Sequence, residues 1–246
     1  KNLPGWRDTV PQLFAVSTWV GYDLDGRSDI SWLDSFRLRL SEKKTSLDLY
    51  IEKLSPFLKS HSKVGRIIDE LSAERRATKA DLVRFSKIED NGFVEAANRL
   101  SERKDKLTAS KAFAERLRKI ASDTQNSEEA IELLAIAGDI ASNGFGLGEL
   151  HLRINAVQLA NAMGVADGKG NFVSLIDASS RTLLERLAEH ISLESGSSIN
   201  FQNLEHESAT ARRQLMLATQ ILKHIDSDQP IRLLIAECEY PVTVMS

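Results

Sequence analysis

Two short stretches of this chain gather the residue types that do chemistry. The first is Ser17-Thr-Trp-Val-Gly-Tyr-Asp-Leu-Asp-Gly-Arg-Ser28, in which Asp23, Asp25 and Arg27 stand around Gly21 and Gly26. An apolar, β-prone run meets a tight Gly/Asp turn there, so two carboxylates and a guanidinium collect where a strand would end. That is where α/β enzymes keep their reactive groups. The second is Gly148-Glu-Leu-His-Leu-Arg-Ile-Asn-Ala156. As a strand, its period of two puts Leu150, Leu152 and Ile154 on one face and Glu149, His151, Arg153 and Asn155 on the other. Four polar residues in a row are too costly to bury against apolar neighbours. The face is therefore either open to water, as in an ordinary antiparallel strand, or the lining of a polar cavity, as on the inward face of a barrel strand. The residues alone leave both readings open.

The elements that would position these groups follow from periodicity. Residues 1–12 read as loop, and Leu13–Tyr22 as a strand rich in Val, Thr, Trp and Tyr. Trp32, Phe36, Leu40, Leu47, Tyr50, Ile51 and Leu54 make Ile30–Leu58 helical, with Pro56 near its end. Apolar stripes at Val64–Leu71, Leu82–Ile88, Phe93–Leu100 and Leu107–Ile120 predict two or three long charged helices over 61–123, partly hairpin-like and protruding from the body. Asn91-Gly92 reads as a helix C-cap and turn. Asn126-Ser-Glu-Glu129 is a capping-box pattern, opening a helix that closes at Asn143-Gly144. A glycine-rich turn, Gly144–Gly148, then leads into the polar-faced strand. Asp177 caps a further helix, Leu204–Ile225 is another, and Ile231–Cys238 is an apolar run of the kind a parallel strand covered on both faces shows. Strands separated by helices favour parallel pairing. The expected fold is mostly α-helical with a few parallel strands, in three regions: 13–28, 29–143 and 144–246.

With 246 residues and 42% hydrophobic residues, the chain has enough apolar material for a substantial core. A net charge of −3 makes no electrostatic case for nucleic acid or an anionic membrane surface. The basic residues between Arg99 and Lys119 alternate with Glu102, Asp105 and Glu115, as on a solvated helix face. No transmembrane or signal-peptide stretch stands out. The single cysteine, Cys238, excludes an intrachain disulfide and fits a reducing compartment, so a cytoplasmic location is expected. The acidic run lacks the glycine position and bidentate glutamate of an EF-hand, the five histidines lack metal-ligand spacing, and no nucleophile-elbow, Walker A or dinucleotide fingerprint is present. The Lys1 start and the end just past Pro241 predict a piece of a longer protein.

Three stretches, in order, carry a family resemblance. Trp19–Ser28 resembles the Trp-(Ile/Met)-Gly-Gly-Asp-Arg-Asp-Gly-Asn-Pro signature of phosphoenolpyruvate carboxylases. Phe145–Asn155 is similar to that family's Phe-Gly…Leu-Asp-Ile-Arg-Gln-Glu-Ser motif, and Ile235–Met245 to its Ile-Ser-Met…Pro-Ser-Asp-Val-Leu segment. The chain departs from the pattern in two places. Leu24 replaces the first motif's arginine, with Arg27 three positions on, and His151, Ile154 and Asn155 replace Asp, Gln and Glu of the second.

The resemblance implies part of an α/β barrel of the TIM-like type and a lyase that carboxylates phosphoenolpyruvate with bicarbonate, giving oxaloacetate and phosphate in carbon fixation and supply of the tricarboxylic acid cycle. It implies Mg2+ or Mn2+ in the full enzyme, held by ligands outside this fragment, and a homo-tetramer. It assigns Arg153 to the anionic substrate, a role suited to a rigid five-donor fork. Asp23, Asp25, Gly26, Arg27, His151 and Asn155 would complete the substrate site, while the fragment alone would be inactive. From the residues alone, Arg153 is equally a structural partner of Glu149 or Asp23. A different class of protein, a helical interaction or scaffold module built on the 61–123 helices, is the alternative.

Overall fold

The structure is a computed structural model that describes residues 5–6, 15–23, 30–86, 92–162, 165–166, 172–173, 185 and 199–238. In chain order these form β1 (Ser17–Thr18), α1 (Trp32–Leu54), a 3-10 turn (Ser55–Leu58), α2 (Ser62–Ser86), α3 (Gly92–Glu102), α4 (Lys111–Asp123) and α5 (Ser127–Asn143). Then come β2 (Glu149–Asn155), α6 (Ala156–Ala162), β3 (Val165–Ala166), β4 (Phe172–Val173), α7 (Phe201–His206), α8 (Thr210–His224) and β5 (Ile231–Ala236). The described chain is mostly helical with a small parallel three-stranded sheet, as expected. Among the described residues, no helix is long and apolar enough to cross a membrane. The chain divides into two compact units. One comprises Lys1–Thr18, Leu33–Leu150 and Ile221–Ile231; the other comprises Trp19–Trp32, His151–Gln220 and Arg232–Ser246.

In the first unit, α1 stops at Leu54 because Pro56 lacks an N–H and can only open the tighter turn that follows. Leu47, Tyr50 and Leu54 of α1 pack with Val64, Ile67 and Leu71 of α2, Phe113 and Leu117 of α4, and Leu133 and Ile140 of α5. The helices of 61–123 thus build the core instead of protruding from it. Their apolar stripes meet partners on α1 and α5 and are not left to water. The two stripes of 64–88 belong to one continuous α2 through Ser86. Gly92 is the first residue of α3, and Asn91, the other half of the expected cap, lies outside the described residues. Asn126 caps α5 as expected, its side chain accepting from the Glu128 N–H at 2.9 Å. Glu129 pairs with His61 Nε2 at 2.8 Å. Gly144 closes α5 with φ +62°, a left-handed value glycine takes without a Cβ penalty.

The sheet order is β1-β2-β5. β1 pairs with β2 in parallel, Ser17 opposite Glu149 and Thr18 opposite Leu150. Of the strand expected over Leu13–Tyr22, the described part keeps only Ser17–Thr18, because the chain turns at once. The Tyr22 N–H donates to Trp19 O at 3.0 Å, and Gly21 has φ +83°. β5 lies at one end of the strand order, and Arg232, Leu233 and Leu234 are exposed, so it is not covered on both faces as its apolar run suggested.

In the second unit, Ile154, Leu159 and Ala211 form a small core joined by Ala162 and Ile235. Trp32 packs on Phe201 at 6.4 Å between ring centroids and donates its indole N–H to Glu205 at 3.1 Å. The helix expected over Leu204–Ile225 is two helices. Glu207 is extended, its carboxylate accepts from the Ala209 N–H at 2.9 Å, and Arg213 Nε holds its carbonyl at 2.7 Å. β3 and β4 pair antiparallel, Val165 opposite Val173; no helix separates them, so the parallel pairing expected of helix-separated strands does not apply. Five intervening residues are too few for a parallel crossover. Of the helix expected after Asp177, the structure describes Glu185, which is helical and exposed; the rest of it and the link Ser195–Ser198 lie outside the described residues.

Candidate functional site

From Leu150 on, β2 alternates as its sequence predicts: Leu150, Leu152 and Ile154 are buried, His151 and Asn155 are half-buried, and Arg153 is exposed, but Glu149, expected on the same polar face, is buried. The alternation follows from the pleat: three branched apolar side chains on one face hold the strand against its neighbours and turn Arg153 outward. Arg153 Nη1 stands 3.6 Å from Asp23 Oδ2, with side-chain exposures of 45% and 15%. Its guanidinium also lies 5.8 Å from the centre of the Trp19 ring, within cation–π range. Trp19 and Asp23 arrive there through the turn that Gly21 permits.

Asn155 has a different job. Its Oδ1 accepts from the Val157 N–H at 2.8 Å, capping α6, and its Nδ2 donates to Glu237 at 2.7 Å. Both polar atoms of its amide are therefore engaged in structure, and Asn155 does not join Arg153 and Asp23. The reason is local: the strand becomes a helix one residue later and needs an N-cap. His151 shares the face of Arg153 by strand register. Asp25, Gly26 and Arg27 lie outside the described residues, as does the part of the Ile235–Met245 stretch after Cys238. Cys238 itself is exposed.

A large assembly of charged side chains lies in the first unit, where apolar periodicity gives no hint of it. The glycine turn Gly144–Gly148 wraps a guanidinium. Arg39 donates to Gly146 O at 2.6 Å and Gly148 O at 3.0 Å, and pairs with Asp226 at 3.4 Å and Glu42 at 3.1 Å. Asp226 in turn accepts from the Gly146 N–H at 2.9 Å. Tyr50 and Ser46 hold Gly144 O at 2.8 and 3.3 Å. A glycine-rich turn after a helix suggests an anion cradle built from N–H groups, but here three of its carbonyls face donors on α1. A Cβ on Gly146 would overlap the Arg39 guanidinium, which is why glycine stands there.

Beside it, Lys43 pairs with Glu74 at 2.7 Å and donates to Ile225 O at 3.1 Å and to Leu107 O. Arg103 grips Glu74 through both terminal nitrogens, at 2.6 and 3.0 Å. Burial pushes the Lys43 ammonium below its ordinary range. For Glu74, burial pushes up, but Lys43 and Arg103 together outweigh it and hold the carboxyl below its usual range. Burial raises the Asp81 carboxyl against the pull of Arg103 and Arg84. His224 ends α8 and is buried. Burial, and then Lys106, Lys223, Arg103 and Lys43, push its imidazole down to about 3. The signal for this cluster is present in the sequence. Glu74, Thr78 and Asp81 continue the Val64-Ile67-Leu71 stripe of α2 at steps of three and four, and Arg39, Lys43 and Ser46 continue the Phe36 stripe of α1.

The basic residues of the charged helices are largely spoken for. Arg99 pairs with Glu95, Arg116 with Glu70 and Arg118 with Glu115. Among the described residues, no three His, Cys, Asp or Glu side chains converge as a metal ion requires. No protein-family model matches the chain, and no curated protein matches it.

Proposed function

We propose that this chain is part of a phosphoenolpyruvate carboxylase-like lyase, with Arg153 binding the anionic substrate at the end of a barrel strand. One observation carries the reading. The three stretches that resemble the family, far apart in sequence, are tied to neighbouring strands of one sheet: the first follows β1, the second is β2, and the third begins in β5. Two of those strands are shown in parallel register. The rest of the barrel, the tetramer and a cytoplasmic location are parts of the same proposal.

In this reading Arg153 holds the phosphate or carboxylate of phosphoenolpyruvate and offsets charge as it moves between enolate, phosphate and the incoming carboxyl group. Asp23 and Trp19 fix where the guanidinium stands. Asp25, Gly26, Arg27 and His151 would line the same strand end. Asn155 keeps its structural task. The described residues do not fit a divalent cation, so no step is assigned here to Mg2+ or Mn2+.

The test is the full-length gene product assayed for bicarbonate-dependent release of phosphate from phosphoenolpyruvate. An active protein that loses at least about a hundredfold in kcat/KM on Arg153→Ala supports the reading, an effect of the size of one lost charge-stabilising donor. An active protein indifferent to Arg153→Ala sinks the site. An inactive one makes the chain a non-catalytic helical scaffold.

A further inference from the structure

An ion pair built for stability usually closes into a hydrogen-bonded fork, and the molecule has examples. Arg103 reaches Glu74 with two donors, and Arg116 reaches Glu70 with two at 2.7 and 2.8 Å. The pair of Arg153 with Asp23 is different. At 3.6 Å it lies beyond hydrogen-bond distance. A guanidinium carries five donors, and among the described residues no hydrogen bond engages any donor of Arg153. Nearly half of the side chain faces water, whereas Asp23 is mostly covered. Asp23 directly follows the Trp19–Tyr22 turn, closed by the Tyr22 N–H on Trp19 O. Of the two partners the arginine is the longer and the more exposed, so it is the one that reaches a ligand in water.

We propose that Asp23 is a built-in competitor of the anionic substrate. It keeps the Arg153 guanidinium over the strand end in the ligand-free protein, and a phosphate or carboxylate displaces it. The inference rests on the reading that Arg153 binds the substrate anion, and it adds what limits the affinity. A carboxylate at this distance lowers anion affinity in two ways: it must be given up as a partner, and its charge repels the newcomer. Because the pair is loose and exposed, the barrier it sets is small, and the site is tuned without being closed. No bond is made or broken in the exchange.

The experiment is titration calorimetry of phosphoenolpyruvate into the full-length protein at low salt without bicarbonate, with inorganic phosphate as a second probe. Asp23→Asn, which keeps shape and removes charge, is expected to tighten binding about three- to tenfold. Asp23→Glu keeps a competing carboxylate and is expected to give no such gain. Arg153→Ala weakens binding, and in the Asp23→Asn background it abolishes the gain. Weaker or unchanged binding in Asp23→Asn, with Arg153→Ala still damaging, overturns the competitor role and leaves the anion site standing. Binding that ignores both residues, or no binding by any form, overturns the anion site as well. Should Asp23→Asn not fold, Asp23→Ser gives the same comparison.

Discussion

Two arginines of this chain each face an aspartate at nearly the same distance: Arg39 and Asp226 at 3.4 Å, Arg153 and Asp23 at 3.6 Å. In the first pair both side chains are 1% exposed, and the guanidinium is further engaged by two carbonyls of the glycine turn and by Glu42. In the second, the arginine is 45% exposed and carries no comparable set of partners. Separation alone therefore does not say what a charge pair does. Burial and the count of satisfied donors decide it. A buried pair holds structure because breaking it strands a charge; an exposed one costs little to open and so remains available to a ligand.

The largest effect that would break this comparison is at Arg39. Arg39→Ala removes the donors of Gly146 O and Gly148 O and leaves Asp226 buried without its cation. Urea unfolding should then show a loss of about 3–5 kcal/mol. A loss below about 1 kcal/mol would place Arg39 in the same class as Arg153. Gly146→Ala approaches the same clasp from the other side. Its methyl would overlap the guanidinium, and overpacking at so confined a point should cost about 1–3 kcal/mol. Relief of that cost by Arg39→Met in the same chain would tie both effects to one contact.

Only half of the contrast between the two arginines is legible in the amino-acid sequence. Arg153 can be read from the period of β2, since three apolar residues on one face force the fourth kind outward. The Asn126 cap and the Gly144 terminus are legible because caps are local chemistry. Arg39, Lys43, Glu74 and Asp81 escape a tracing of helical faces by apolar residues alone, in which charges at the same spacing pass for surface. Their burial depends on one another and on Asp226, far along the chain, and no local pattern states that pairing. Asn155 misleads for the opposite reason. Strand periodicity puts it beside Arg153, but the helix that starts at Ala156 takes its side chain as a cap. The exposure of β5 follows from strand order, which an apolar run by itself does not contain.

Acidity probes the buried pair and the histidine near it, with a smaller and signed effect. Burial pushes the Asp226 carboxyl up to about 6; Asp228 adds to this, while Arg39, the Gly146 N–H and Lys43 pull it down. The folded chain therefore binds that proton more tightly than the unfolded chain. The contribution is full below the ordinary carboxyl value and is lost as pH rises through about 6. His224 works in reverse. Its imidazole is held down to about 3, so the unfolded chain binds its proton first, and stability falls as pH drops below the ordinary histidine value toward 3. Over pH 4–6 the two oppose each other. Urea midpoints measured from pH 4 to 8 should fall more steeply with acid in Asp226→Asn than in the parent. In His224→Gln they should fall less steeply than in the parent. Parallel profiles in all three proteins would remove both groups from the acid response.

The smallest effect sharpens the comparison most. Arg153→Ala should change unfolding free energy by about 1 kcal/mol or less, because the pair with Asp23 is loose, water reaches the guanidinium, and the Trp19 ring adds only an exposed cation–π contact. The same substitution should remove most of the protein's affinity for phosphoenolpyruvate. A residue whose loss leaves the fold intact and the ligand unbound is held in place for the ligand. If Arg153→Ala instead unfolds the protein as readily as Arg39→Ala, the exposed pair is structural after all, and the strand end loses its claim to be a site.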